Sequence, residues 1–165
     1  MKKVRVLYIS IEGNSRNFME RVEKYSKQKK EQNTNNIEIE AVEVSDSTDL
    51  VEEEKPFFIN VPTYLEGGTG IGPEIHEIFT NALGDYLDYH DNFKKLIGIF
   101  GSGNRNFNVQ FVLTAKRYAS KYNKPLLYTY ELSGIQKDIE NFYEKIVDNL
   151  PKDYKWFDIY TESLI

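Results

Sequence analysis

Cysteine is absent from this chain of 165 residues, tryptophan occurs once and histidine twice. Without a thiol there is no disulfide, no thiolate nucleophile and no thiolate metal site, so redox chemistry has to come from a bound cofactor. The two histidines, His76 and His90, have no second ligand at metal spacing, and no metal site is expected. No apolar run approaches the ~18 residues of a membrane-spanning helix. The opening stretch to Ile9 is too short, and too soon followed by Glu12 and Asn14, to read as a secretory signal, and a cytoplasmic location is expected. Positive charge is not in excess either. With 26 acidic and 21 basic residues the net charge is −5, which argues against nonspecific nucleic-acid binding. The basic run Lys24 to Lys30, beside Glu23 and Glu31, reads as a solvated helix face. Glu52-Glu53-Glu54 reads as solvated loop charge, and Asp138-Ile139-Glu140 as helix-start charge favourable to the dipole.

What the chain does have is a core and a rhythm. Hydrophobic residues make up 40% and aromatic residues 14%, enough for one domain of ordinary size. Strand-like runs occur at Val4–Ile9, Ile37–Val44, Phe57–Val61, Leu96–Phe100 and Leu126–Leu132. Helical spacing separates them: Phe18, Val22 and Tyr25; Ile75, Ile78, Phe79 and Leu83; Phe111, Ala115, Tyr118 and Tyr122; Ile139, Phe142 and Ile146. The second set would put His76 on a helix. Strands alternating with helices make βαβ units, and right-handed crossovers then require a parallel sheet covered on both faces. The expected fold is a three-layer α/β sandwich, a five-stranded parallel sheet in the flavodoxin-like order 2-1-3-4-5. Residues 1–150 form the domain, and the aromatic tail 151–165 is expected to pack on it.

Three polar loops follow three of the strands. They are Ser10-Ile11-Glu12-Gly13-Asn14-Ser15, then Pro62-Thr63-Tyr64-Leu65-Glu66-Gly67-Gly68-Thr69-Gly70, then Gly101-Ser102-Gly103-Asn104-Arg105-Asn106-Phe107. In such a sheet ligands sit beyond the carboxyl ends of the strands where strand order reverses, so the three loops point to one site. In the first, Asn14 and Ser15 read as N-cap residues opening a helix whose free N–H groups suit a phosphate. There is no Gly-Lys-Ser/Thr and no Gly-x-Gly-x-x-Gly, which points to a monophosphate rather than a nucleoside triphosphate. Tyr64 and Phe107 offer faces for a flat ring, and the glycines let backbone approach its edge. A phosphoryl receiver would need acidic residues after strand 1, an Asp after strand 3 and a Lys after strand 5. Those places read Tyr-Ile-Ser, Val-Pro-Thr and Glu-Leu-Ser-Gly.

Together these segments resemble the NrdI family, flavodoxin-like FMN proteins associated with class Ib ribonucleotide reductase. The resemblance runs from Val-Leu-Tyr-Ile-Ser ending at Ser10, through Val61-Pro62-Thr63-Tyr64 and Gly101 to Phe107, to Pro125–Gly134 and Gln136–Asn141. Ser102 to Phe107, followed later by Tyr130-Glu131-Leu132-Ser133-Gly134, is its most specific part. The resemblance implies an FMN cofactor and no catalytic side chain, the chemistry lying on the flavin. Ser10, Glu12, Gly13, Asn14 and Ser15 would form the phosphate loop. Thr63, Tyr64, Glu66, Gly67, Gly68 and Thr69 would lie beside the ring, with Glu66, Gly67 and Gly68 near N5. Ser102, Gly103, Asn106 and Phe107 would line its pyrimidine side or stack, and Arg105 would point outward. It further implies a reductant, O2 as acceptor, and superoxide delivered to the dimanganese site of the reductase's small, radical-generating subunit. A single-electron carrier for another redox enzyme is the alternative. Two departures stand out: Leu65-Glu66 where the family often has glycines, and Glu12 where a hydroxylic residue is common. A carboxylate near N5 would disfavour an anionic flavin.

Overall fold

The structure, a computed structural model, describes residues 2–66, 76–78, 81–106 and 111–154. Five strands form the parallel sheet: β1 (Lys3–Tyr8), β2 (Glu38–Glu43), β3 (Phe57–Pro62), β6 (Leu96–Gly103) and β7 (Leu126–Glu131). Their order, β2-β1-β3-β6-β7, is the expected 2-1-3-4-5. The described helices are α1 (Asn14–Gln32), α2 (Ala82–Asp88), α3 (Leu113–Tyr122) and α4 (Gln136–Asn149), with a 3₁₀ turn at Tyr89–Lys95.

Alternation along the strands splits the core in two. Val4, Val6, Tyr8, Phe58, Phe100 and Tyr130 face α1 and α4, where Phe18, Val22, Phe142 and Ile146 close the layer. Leu7, Ile9, Ile59, Val61 and Ile99 face α2 and α3, against Leu83, Leu87 and Ala115. All six residues of β3 are buried, which is why the strand reads as one unbroken apolar run with Asn60 inside it. Among the described residues no helix is long and apolar enough to cross a membrane.

Two expectations are corrected. The helical spacing at Ile75, Ile78 and Phe79 does not make a helix at its described positions. His76–Ile78 is a short strand, β5, paired antiparallel with β4 (Tyr64–Glu66). Apolar spacing reports only local periodicity, and the backbone partner ten residues upstream decides the matter. Leu83 does lie on a helix, the short α2.

Glu53, read as solvated charge, is 4% exposed. Arg5 reaches its Oε1 through Nη2 at 3.0 Å and Nε at 3.2 Å, and the Tyr86 hydroxyl donates to the same oxygen at 3.0 Å. The Glu53 N–H donates to Asn92 Oδ1 at 2.7 Å. An arginine fork and a phenol satisfy the buried carboxylate, and one isolated run of glutamates gives no hint of those partners. Of the tail, Tyr154 packs on the α1–α4 side of the core, its hydroxyl 3.4 Å from the Pro56 carbonyl. The rest of the tail lies outside the described residues.

Candidate functional site

The β1–α1 loop is organised around Ser10. Its Oγ accepts from the N–H of Gly13 at 3.1 Å and of Arg16 at 3.3 Å, folding the loop back over the helix start. Gly13, not Asn14 or Ser15, is the N-cap, in the left-handed region at φ 94°. A glycine adopts that conformation without the steric penalty of a side chain. Gly13 brings no side chain to cap the helix and Ser10 Oγ takes the N–H of Arg16, which leaves the N–H groups of Asn14 and Ser15 as the open donors of the first turn. Ser15, the second residue of α1, is fully buried in this first turn, and its hydroxyl has no partner. Glu12 is exposed. Arg16 is drawn to the sheet edge by Glu43, Nη2 to Oε1 at 2.9 Å.

Beyond β3 the chain is tied to its neighbours. The Thr63 N–H donates to the Ser102 carbonyl at 2.8 Å, and Thr63 Oγ1 accepts from Thr114 N–H at 2.9 Å, fastening the loop to α3. The Tyr64 hydroxyl is enclosed near the backbone of Glu12 and Asn14 and the Asn14 side chain, without an aligned bond to any of them. Burial raises its pKa above the ordinary phenol value. Tyr64 thus joins the first loop to the second. Glu66 ends β4; the expectations for its charge, and those for Gly67, Gly68, Thr69 and Phe107, lie outside the described side chains.

The third loop leaves β6 through Ser102, 2% exposed, and Gly103. A Cβ on Gly103 would collide with the Phe111 carbonyl oxygen; only glycine lets the returning chain lie that close. The Gly103 carbonyl accepts from Leu132 N–H at 2.8 Å, and Glu131 Oε2 accepts from Arg105 N–H at 3.0 Å. Asn106 is exposed, its N–H bonded to Asn104 Oδ1 at 3.0 Å. Three loops distant in sequence therefore meet through Tyr64–Asn14 and Thr63–Ser102, bringing Ser10, Gly13, Asn14, Ser15, Thr63, Tyr64, Ser102 and Gly103 together.

Beneath them lies a polar group that the sequence did not reveal. Asn60 Nδ2 donates to the Tyr130 hydroxyl at 2.7 Å and touches Met19 Sδ at 3.3 Å, while Asn60 Oδ1 is buried without a partner. Tyr130 stacks on Phe18, centroids 3.9 Å apart, and burial drives its pKa upward, with Asn60 and Ser102 opposing. Arg21 reaches from α1 to the carbonyls of Ser133 and Gly134, clamping the β7–α4 loop. The available signal for these residues was a lone Asn in an apolar strand and the Tyr-Glu-Leu-Ser-Gly segment.

Fold and loop cluster define a flavodoxin-type protein, a class that implies a flavin at the carboxyl end of the sheet. Comparison agrees. The family described as NrdI Flavodoxin like matches residues 6–144, and this chain belongs to that family. It is 42% identical over 153 residues to an NrdI-like protein of Streptococcus pyogenes serotype M18, covering 93% of this chain and 98% of that one. An NrdI-like protein of Streptococcus pneumoniae strain R6 is 38% identical over 154 residues, covering 90% and 95%. Among solved structures, a short-chain flavodoxin associated with a bacterial microcompartment superposes with a TM-score of 0.54 at 20% identity, over 90% of this chain and 98% of that one. An archaeal flavodoxin gives 0.53 at 12%, over 88% and 94%. At these identities the two structures speak to fold alone.

Proposed function

We propose that this chain binds FMN and, once the flavin is reduced, supplies a flavin-derived oxidant to the small, radical-generating subunit of class Ib ribonucleotide reductase. The observation that carries the cofactor is the start of α1. A fully buried Ser15 hydroxyl without a partner lies in the first turn of α1, where Gly13 brings no capping side chain and the loop folds around Ser10. A buried hydroxyl left unbonded costs stability, and a phosphate monoester at this turn would accept from it and from the free N–H groups. Neither a lysine nor a metal is needed for such an anion. The enclosed Tyr64 hydroxyl offers a further donor beside the same loop.

Bound FMN would supply the electrons that reduce O2 to superoxide. The chain's part is binding and orientation. Ser10 shapes the loop, Ser15 and the first-turn N–H groups hold the phosphate, and Tyr64, Ser102 and Gly103 bound the space above the sheet. The partner reading rests on family membership and on the Ser102–Phe107 segment.

The test is a reconstitution. FMN-loaded protein is reduced anaerobically, then mixed with O2 and the manganese-loaded small subunit of the same organism, and tyrosyl radical is read by electron paramagnetic resonance. Radical that depends on this protein supports the reading. A normal flavin spectrum with no radical would reassign the chain to single-electron transfer.

A further inference from the structure

Parallel strands are joined by crossovers that usually carry a helix. The crossover from β2 to β3, residues 44–56, lies wholly among the described residues and contains none. Its Glu53 meets Arg5 of β1, which by alternation shares a face of the sheet with Leu7 and Ile9 of the α2–α3 layer. Where a helix would cover that face, an open groove of about 370 Å³ remains, lined by Arg5 and Glu40 of the sheet, Val51 and Pro56 of the crossover, and Tyr154. It lies at the amino end of the sheet, opposite the three polar loops.

The groove is built rather than loose. Buried Asn92 donates to the Val51 carbonyl at 2.9 Å and accepts from the Glu53 N–H at 2.7 Å, so the backbone is fixed while the Val51 side chain stays 48% exposed. Arg5 gives Nε and Nη2 to Glu53 and Nη1 to Glu40 at 3.4 Å. Bonds of this kind lie in the guanidinium plane and leave its flat face for an aromatic ring. Lys3, Arg5 and Lys55 stand against Glu40, Glu52, Glu53 and Glu54, a near balance that selects no partner by charge. What the groove offers is a flat cation beside an aliphatic rim.

Tyr154, the last described residue, closes one end of it, its hydroxyl 3.4 Å from the Pro56 carbonyl and 3.5 Å from the Lys3 carbonyl. Residues 155–165 therefore continue from the edge of the groove. They bring Trp156, Phe157, Ile159 and Tyr160 within six positions, and two extended residues reach about 7 Å, enough to carry Trp156 into it. A tether this short gives an effective concentration of about millimolar or more, which a free partner rarely matches. We propose that residues 155–165 dock in this groove of their own chain, the Trp156 indole stacking on the Arg5 guanidinium and packing against Val51, in the place of the absent crossover helix. The docking does not depend on the flavin.

Trp156 is the one tryptophan of the chain, so its indole N–H gives a single resonance. In the full chain, labelled with ¹⁵N and ¹³C, nuclear Overhauser contacts are expected from the Trp156 ring to the Val51 methyls, with ring-current shifts at the Arg5 side-chain protons. Val51→Asp, at an exposed position, removes the contacts and moves the indole resonance to its place in the urea-unfolded chain, while the amide resonances of the five strands stay where they are. An indole already at the unfolded position in the parent, or ring contacts to other residues, would overturn the proposal. A mixture of labelled and unlabelled chains separates contacts within one copy from contacts between two. Contacts only between copies would assign the groove to the tail of a second copy, and that too would overturn it.

Discussion

Asn60 and Tyr130 reach each other across an intervening strand. Asn60 stands on β3 and Tyr130 on β7, with β6 between them, and the amide nitrogen meets the hydroxyl at 2.7 Å. The contact fits because both project toward α1 and α4, over the backbone between Phe100 and Ser102. It cross-links the sheet directly beneath the three loops. Tyr130→Phe removes the hydroxyl and leaves a buried amide with only a thioether for company, at a cost of about 1–2 kcal/mol. Urea unfolding measures this directly. A loss within error of zero would mean that the bond is offset by the burial of the two groups.

Ser15→Ala should move stability and binding in opposite directions. The ligand-free protein loses a buried unpartnered hydroxyl and is unchanged or more stable by up to about 1 kcal/mol. FMN affinity, read by quenching of flavin fluorescence, falls about tenfold. A variant that binds FMN like the parent would show that Ser15 is not a phosphate ligand.

Gly13 and Gly103 should fail differently when changed to alanine. Around Gly13 a Cβ would have open space, and only its φ of 94° resists; the cost is about 1 kcal/mol. At Gly103 the Cβ would strike the Phe111 backbone, so the loop must shift, at about 2–3 kcal/mol. Thermal and urea unfolding of the two variants provide the comparison. Equal losses would mean that the third loop moves aside freely.

Alkaline pH should destabilise the fold. Burial pushes the Tyr8, Tyr86 and Tyr118 phenols from 10 to about 12, with Glu53 adding to the shift at Tyr86. A raised folded-state pKa means that the native state holds its proton more tightly than the unfolded chain. That stability is complete below pH 10 and is lost as pH rises from 10 toward 12. Urea midpoints across this range, with tyrosinate absorbance followed in parallel, should fall as the buried phenols ionise. All phenols ionising near pH 10 in a folded protein would refute the burial.

Much of this was legible in the chain itself. Alternating strand and helix patterns gave the layers and the sheet order, because periodicities of 2 and 3.6 are local properties. The glycine-rich, polar segments after three of the strands located the loop cluster, because small residues and free helix N–H groups are local properties too. What stayed hidden depends on partners far away in sequence. Glu53 reads as surface charge until Arg5 and Tyr86 arrive from other elements. His76–Ile78 reads as helix until Tyr64–Glu66 pairs with it. Asn60 and Tyr130, 70 residues apart, carry no sign of each other. The sequence determined the five strands of the main sheet, their order and the family chemistry of the loops. Tertiary structure alone decided which polar groups became buried, which were satisfied and which, like the Ser15 hydroxyl, were left open. Burial and hydrogen bonding are properties of neighbours in space, and no local pattern in the chain encodes them.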